Sequence, residues 1–248
     1  MQLVEATVIG LAAVIPSLVY LVWIRNTERF SREPYGRLIK VFLTGASVSV
    51  IIAVPAEIIL MILLDQNIEH VYQILGENPN LSALLLACVI APFVEEMAKA
   101  TGVFRVRRFM AEIEDGIVYG AAAGLGFAAA ENLLYEYDAF LSNGIEAAIA
   151  TAAVRSLSSA LLHASSSSLF GLGIARGALQ RKSWAPYYFG AVIMHSAFNL
   201  FASFGVLYES QLGDTAYLIG LGAALAIAIG GVKLARSKIR QLERVTRG

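Results

Sequence analysis

The sequence predicts an all-α protein, a polytopic transmembrane bundle of about seven helices with its N-terminus outside and its C-terminus in the cytoplasm. Three observations predict it. Hydrophobic residues make up 57% of the 248 positions and charged residues only 15%, well under the roughly 25% of a soluble domain. Seven apolar stretches are long enough for the ~20 residues that a bilayer core requires. Lysine and arginine fall on alternate connections between those stretches, as the positive-inside rule demands.

The stretches run over about 3–23, 41–64, 82–104, 116–136, 146–175, 185–206 and 215–235. The first starts almost at the N-terminus. MQLVEATVIG has no cationic segment and no cleavage motif, so it reads as a membrane helix and not as a removable signal. The fifth is long and serine-rich, which predicts a tilted, broken or partly interfacial helix. No strand-like alternation and no soluble insertion is visible, so the chain reads as one integral membrane domain.

Charge tests this division. Arg25, Arg29, Arg32, Arg37 and Lys40 lie between the first and second stretches, and Arg105, Arg107 and Arg108 between the third and fourth. Arg176, Arg181 and Lys182 lie between the fifth and sixth. Lys233, Arg236, Lys238, Arg240, Arg244 and Arg247 end the chain. The other connections hold none. One helix more or fewer would scramble this alternation. The formal net charge is zero and predicts no nucleic-acid partner. The single cysteine, Cys88, excludes an internal disulfide and a cysteine-rich metal site.

Two basic residues, Lys99 and Arg155, remain inside the membrane, where charge is costly and usually faces a bundle interior or a wet cavity. The third stretch reads APFVEEMAKA. Glu95 and Glu96 stand four and three residues before Lys99, so both carboxylates can reach it. They are ~100° apart around the axis and cannot both point at one spot. Structural pairing needs one glutamate, which leaves the other for chemistry. In the fourth stretch Glu131 has no cation within one turn, so it must find a partner on another helix, be protonated or bind a metal. Gly120 and Gly124 have the spacing that lets a second helix approach closely. Arg155, Ser159 and His163 follow at steps of four, then Ser165 to Ser168. His195 and Asn199 share a face of the sixth stretch.

A lone buried histidine is usually a satisfied hydrogen-bonding group. Four helices that bring carboxylates and imidazoles to similar depth point instead to a site that activates water or binds metal. Two histidines and a glutamate form a common catalytic zinc set, so Glu131, His163 and His195 are candidate Zn2+ ligands, with Glu95 or Glu96 as general base and Lys99 holding the other. A metal-free alternative has the glutamates and His163 activate water while His195 and Asn199 donate to the oxyanion. No His-Glu-x-x-His, Gly-x-Ser-x-Gly or Gly-x-Gly-Asp is present. Four consecutive serines point to every side of a helix, which argues for packing over a serine–histidine dyad.

The ordered set Glu95-Glu96-x-x-Lys99, Phe127-x-x-x-Glu131-Asn132, His163 and His195-x-x-x-Asn199, with Asp115-Gly116 and Tyr119-Gly120 before it, resembles the PrsW family of intramembrane proteases over about residues 80–205. It is similar, more distantly, to type II CAAX prenyl endopeptidases and Abi proteins. Those carry Glu-Glu-x-x-x-Arg and a histidine where Glu131 stands here. The resemblance implies a membrane-embedded metallopeptidase that cleaves a membrane-anchored regulator such as an anti-sigma factor. The competing classes are a proton- or solute-coupled transporter, against which no internal repeat is apparent, and a non-catalytic membrane scaffold.

Overall fold

The computed structural model describes residues 3–76 and 80–247, and the expected all-helical architecture is what it shows. Six apolar helical segments are long enough to cross a membrane. One of them, Ile113–Gln180, has 68 residues, or ~100 Å of helix, about three bilayer cores. It is two legs. Gly144 breaks it with φ 81° and ψ −172°, a conformation only glycine adopts without penalty. The described residues therefore form seven membrane-length helices: α1 (Leu3–Arg25), α2 (Tyr35–Gln66), α3 (Leu81–Phe109), α4 (113–143), α5 (145–180), α6 (Ala185–Leu212) and α7 (Thr215–Arg247). A short helix, Ile68–Leu75, lies in the connection between α2 and α3.

The boundaries differ from expectation at the α4–α5 turn and at the end of α7, which runs to Arg247 and not to 235. The hydropathy pattern leaves 137–145 as a connection, but the segment contains no breaker before Gly144, and helix continues to that residue. The break expected in α5 is real and falls at Ser158 (φ −114°, ψ −75°). At the start of α4, Asp115 accepts backbone hydrogen bonds from Ala111 (2.7 Å) and Glu112 (3.0 Å), which closes a capping box.

Helix α4 is the axis of the bundle: every residue from Glu114 to Ala129 is buried. It can be buried on all faces because its side chains are small. A Cβ on Gly116 would stand 2.3 Å from the Gly171 carbonyl oxygen, one on Gly120 2.1 Å from that of Ser167, and one on Gly124 2.0 Å from that of His163. Each pair is spaced evenly about the Gly144 turn, so α4 and α5 form one antiparallel hairpin in backbone contact. On another face Gly126 meets the Phe42 carbonyl of α2, and Gly45 of α2 meets that of Ala123. These close seams are the small-residue packing expected between membrane helices, and they fix the heights of Glu131 and His163.

Candidate active site

Glu95, Glu96 and Lys99 come from α3, Glu131 from α4, Arg155 and His163 from α5, and His195 and Asn199 from α6. The structure brings all of them to one place. Both glutamates reach the lysine, as their spacing predicts: Lys99 Nζ is 2.8 Å from Glu96 Oε1 and 3.2 Å from Glu95 Oε2. It also sits 4.7 Å above the Phe127 ring. The two carboxylates then part.

Glu96 is wholly buried and fully used. Its Oε1 accepts from Lys99, from Ser166 Oγ (2.9 Å) and from His195 Nδ1 (3.0 Å), and its Oε2 accepts from Ser167 Oγ (3.1 Å). Two of the four serines are thus ligands of Glu96. Ser168 instead donates to the Ile117 carbonyl and Ser165 to those of Leu161 and Leu162. A serine–histidine dyad has no place here. Glu95 is the opposite case: its Oε2 is buried and accepts no hydrogen bond, and the residue lines a cavity of about 460 Å³.

The imidazoles are oriented by their outer partners. A lysine ammonium has no lone pair, so its 2.8 Å contact with His163 Nδ1 makes that nitrogen the acceptor. The Nε2–H then donates to Glu131 Oε2 at 2.9 Å. His195 donates from Nδ1 to Glu96 and turns Nε2 toward Glu95 Oε2, 3.9 Å away. The rings stand edge to face, 4.9 Å between centroids. Carboxylate behind imidazole is the arrangement that fixes tautomer and ring plane at metal centres.

Glu131 finds the cross-helix partner it lacked locally. Arg155 Nη2 lies 2.8 Å from its Oε2, and the same guanidinium donates to Asn132 Oδ1 (2.8 Å) and Ser159 Oγ (3.0 Å) over the Tyr135 ring. Among the described residues Glu131's polar contacts run through Oε2, leaving Oε1 to the cavity it lines. Asn199 also lines that cavity, and one of its N–H bonds is spent on the Ala87 carbonyl at 2.6 Å.

One expected grouping changes. The ligand atoms that converge within 4.8 Å of one another belong to Glu95, His163 and His195, not to Glu131, His163 and His195. Glu131 is drawn off by Arg155 on the far side of His163. Two imidazole nitrogens with one carboxylate oxygen is a set that suits zinc, and the Glu95 oxygen, ion-paired with Lys99 but accepting no hydrogen bond, has coordination capacity left for a metal. The residues present therefore fit a metal ion. Sequence reasoning missed Ser166, Ser167 and a further acid lining the cavity, Glu57 of α2. The last had a signal, since it is the only charged residue between Lys40 and Asp65.

The class these features define is a multi-pass membrane protein with a metal-compatible glutamate–histidine centre buried in its helices. The chain belongs to the PrsW family of intramembrane metalloproteases, whose family model matches residues 33–229, and it is a multi-pass integral protein of the cell membrane. It is 31% identical over 185 residues to Protease PrsW of Geobacillus kaustophilus, covering 71% of this chain and 72% of that one. It is 35% identical over 129 residues to Protease PrsW of Clostridioides difficile, covering 50% of this chain and about half (49%) of that protein's length. A third relative, Protease PrsW of Halalkalibacterium halodurans, is 26% identical over 195 residues, covering 76% of this chain and 80% of that one. No solved structure matches.

Proposed function

We propose that the chain is an intramembrane peptidase that hydrolyses a membrane-anchored protein, of the anti-sigma-factor kind, at the Glu95/His163/His195 centre. One observation carries the reading: three metal-ligating side chains from three helices converge on the wall of a cavity inside a membrane bundle. Carboxylate and imidazole at such a place suit activation of water. The basic ends of the helices face the cytoplasm in this reading.

Glu95, His163 and His195 would hold the metal, which when bound supplies a Lewis acid for the scissile carbonyl and hydroxide at neutral pH. The protein's own groups do the rest. Glu96 holds His195, and Glu131 holds His163. Lys99 neutralises the paired glutamates of α3. The roles first assigned to the two cavity carboxylates exchange: Glu95 is the ligand, and Glu131, through its uncommitted Oε1, is the base. It takes a proton as the water oxygen bonds to the carbonyl carbon, and returns it to the nitrogen as the carbon–nitrogen bond breaks. Glu96 is excluded as the base because all its contacts are internal and it does not line the cavity. Asn199 has a second N–H for the developing oxyanion.

Purified protein, reconstituted with single-span membrane proteins, tests this. Wild type is expected to carry stoichiometric metal and to cleave, and Glu95→Ala, His163→Ala and His195→Ala to lose both. Cleavage unaffected by all three substitutions would end the peptidase reading. Proton or solute flux lost in the same variants would move the chain to the transporter class.

A further inference from the structure

Among the intramembrane acids that the centre described above leaves unused, Glu57 is one that lines its cavity. Glu57 lies in the distal half of α2, beyond Val50, and that half is built unlike the proximal one. Before it, Leu38, Val41, Phe42, Thr44, Gly45 and Ser49 are buried, and Gly45 and Gly126 bring α2 into backbone contact with α4. From Val50 to Gln66 only Ala53 is buried. A π-helical turn at Gly45–Ser49 and a proline at position 55 separate the pinned part from the free part. Both interrupt the regular i to i−4 ladder. The distal half is thus anchored at one end, with little packing to hold it sideways. Its inward face, Val50, Val54 and Glu57 at helical spacing, is one wall of the 460 Å³ cavity that holds the Glu/His centre.

Glu57 Oε1 is buried and accepts no hydrogen bond among the described residues. No described cation lies within ion-pair distance of it, although Lys99 and Glu131 are near enough to act on it electrostatically. An ionised carboxylate only accepts, and a buried acceptor left unpaired is costly. A donor brought into the cavity by a bound polypeptide would satisfy it. A polypeptide to be hydrolysed here brings such donors. In a membrane helix each N–H is bonded to a carbonyl four residues earlier, and the helix must open before a carbonyl can be attacked. Opening leaves N–H groups that lipid cannot satisfy.

We propose that Glu57 is a substrate-positioning residue: its carboxylate accepts a hydrogen bond from a backbone N–H exposed when a membrane-embedded polypeptide unwinds between the distal half of α2 and the Glu95/His163/His195 centre. The proposal rests on the peptidase reading for its ligand, and its test separates the two.

The full chain is reconstituted in liposomes with a synthetic single-span peptide of about 25 residues. The peptide carries a Gly-Pro break in one half, a photoreactive leucine beside the break and a fluorophore–quencher pair across it. A second peptide lacks the break. Cleavage and photocrosslinking are both read. Glu57→Leu is expected to raise KM for the broken peptide about tenfold, with kcat changed less than about twofold, and to lower crosslinking to the same degree, as loss of one charge-assisted hydrogen bond would. Glu57→Gln keeps a carbonyl acceptor and should hold KM within about threefold of wild type. Crosslinking of the unbroken peptide should not depend on residue 57. The proposal is overturned if Glu57→Leu leaves both readouts unchanged. It is also overturned if Glu57→Gln loses as much as Glu57→Leu, because the carboxylate would then be reading a basic side chain and not the backbone. Crosslinking that depends on Glu57, with neither peptide cut by wild type, supports the positioning role and counts against the peptidase reading alone.

Discussion

Gly124→Ala offers a direct test of how the hairpin builds the site. The added Cβ would lie 2.0 Å from the carbonyl oxygen of His163 and 2.6 Å from its carbonyl carbon. Ordinary contact begins at about 3.4 Å, so α4 and α5 must separate by about 1.4 Å at this height. Neither neighbour can swing aside, because both atoms are backbone. Overpacking of this kind costs about 1–3 kcal/mol. The larger effect is on geometry: His163 would leave its places beside Glu131 and Lys99, and a misplacement of ~1 Å at a reacting centre can lower activity ~100-fold. Gly222→Ala is the control, since nothing lies within 4 Å of its added Cβ. It should be neutral or stabilise α7 by up to about 1 kcal/mol. Thermal unfolding in detergent, bound metal and cleavage rate should all be measured on both variants. A Gly124→Ala protein with wild-type metal content and rate would refute the claim that this crossing sets the position of His163.

Three further outcomes are expected. Glu96→Gln keeps the shape of the side chain but weakens the support of His195, and metal affinity measured by chelator competition should fall about 10–100-fold, the range for lost outer partners of a ligating histidine. Lys99→Met removes a positive charge 3.2 Å from Glu95 Oε2, and should raise affinity for a divalent cation at least about tenfold while lowering cleavage; loss of metal in this variant would mean that Lys99 orients the ligands instead. At the basic end of the bundle, burial pushes the Glu28 carboxyl up from 4.5 to about 8, with Asp115, Glu33 and Glu243 adding to the shift. A raised pKa means that the folded state holds its proton longer than the unfolded state, so stability is full below about 4.5 and falls as pH rises through about 8. Glu28→Gln should flatten the fall in melting temperature between pH 5 and pH 8.5, and an unchanged profile would assign the pH dependence to another group.

The number of helices was legible because charge alternation is a property of the whole chain and tolerates errors at each boundary. The turn at Gly144 was not, since YDAFLSN has polar residues but nothing that forbids helix. Glycine there is required by backbone conformation, which the sequence alone leaves ambiguous among 21 glycines. Site membership was legible for a related reason: Glu95, Glu96, Glu131, His163 and His195 are polar groups in an apolar setting, and each must find a partner. Which partner each one finds depends on helix rotation and height. The seam of Gly116, Gly120 and Gly124 sets both, and it turns Glu131 toward Arg155 and leaves Glu95 facing the imidazoles. The serines beside His163 read as packing because a run of four has no preferred face, yet two of them hold Glu96.

The distribution of charge explains why Glu95 is the carboxylate left facing the imidazoles. Three carboxylates, Glu95, Glu96 and Glu131, face two cations, Lys99 and Arg155. Arg155 serves Glu131. Lys99 is closer to Glu96 than to Glu95, and of these two only Glu96 has serine and histidine donors to complete its shell. Glu95 is therefore left with an oxygen that no hydrogen bond satisfies. That oxygen, the Nε2 lone pair of His195 and the Nδ1 lone pair of His163 all face the region that Lys99 Nζ borders. A pocket of lone pairs is organised around positive charge whether the ammonium or a metal ion supplies it. The two are alternatives for the same donors, because His163 Nδ1 cannot accept from Lys99 and ligate a metal at once. A metal that takes His163 must send Lys99 wholly to its glutamates, and the three ligand atoms, now spread over up to 4.8 Å, must close around the ion as it does so.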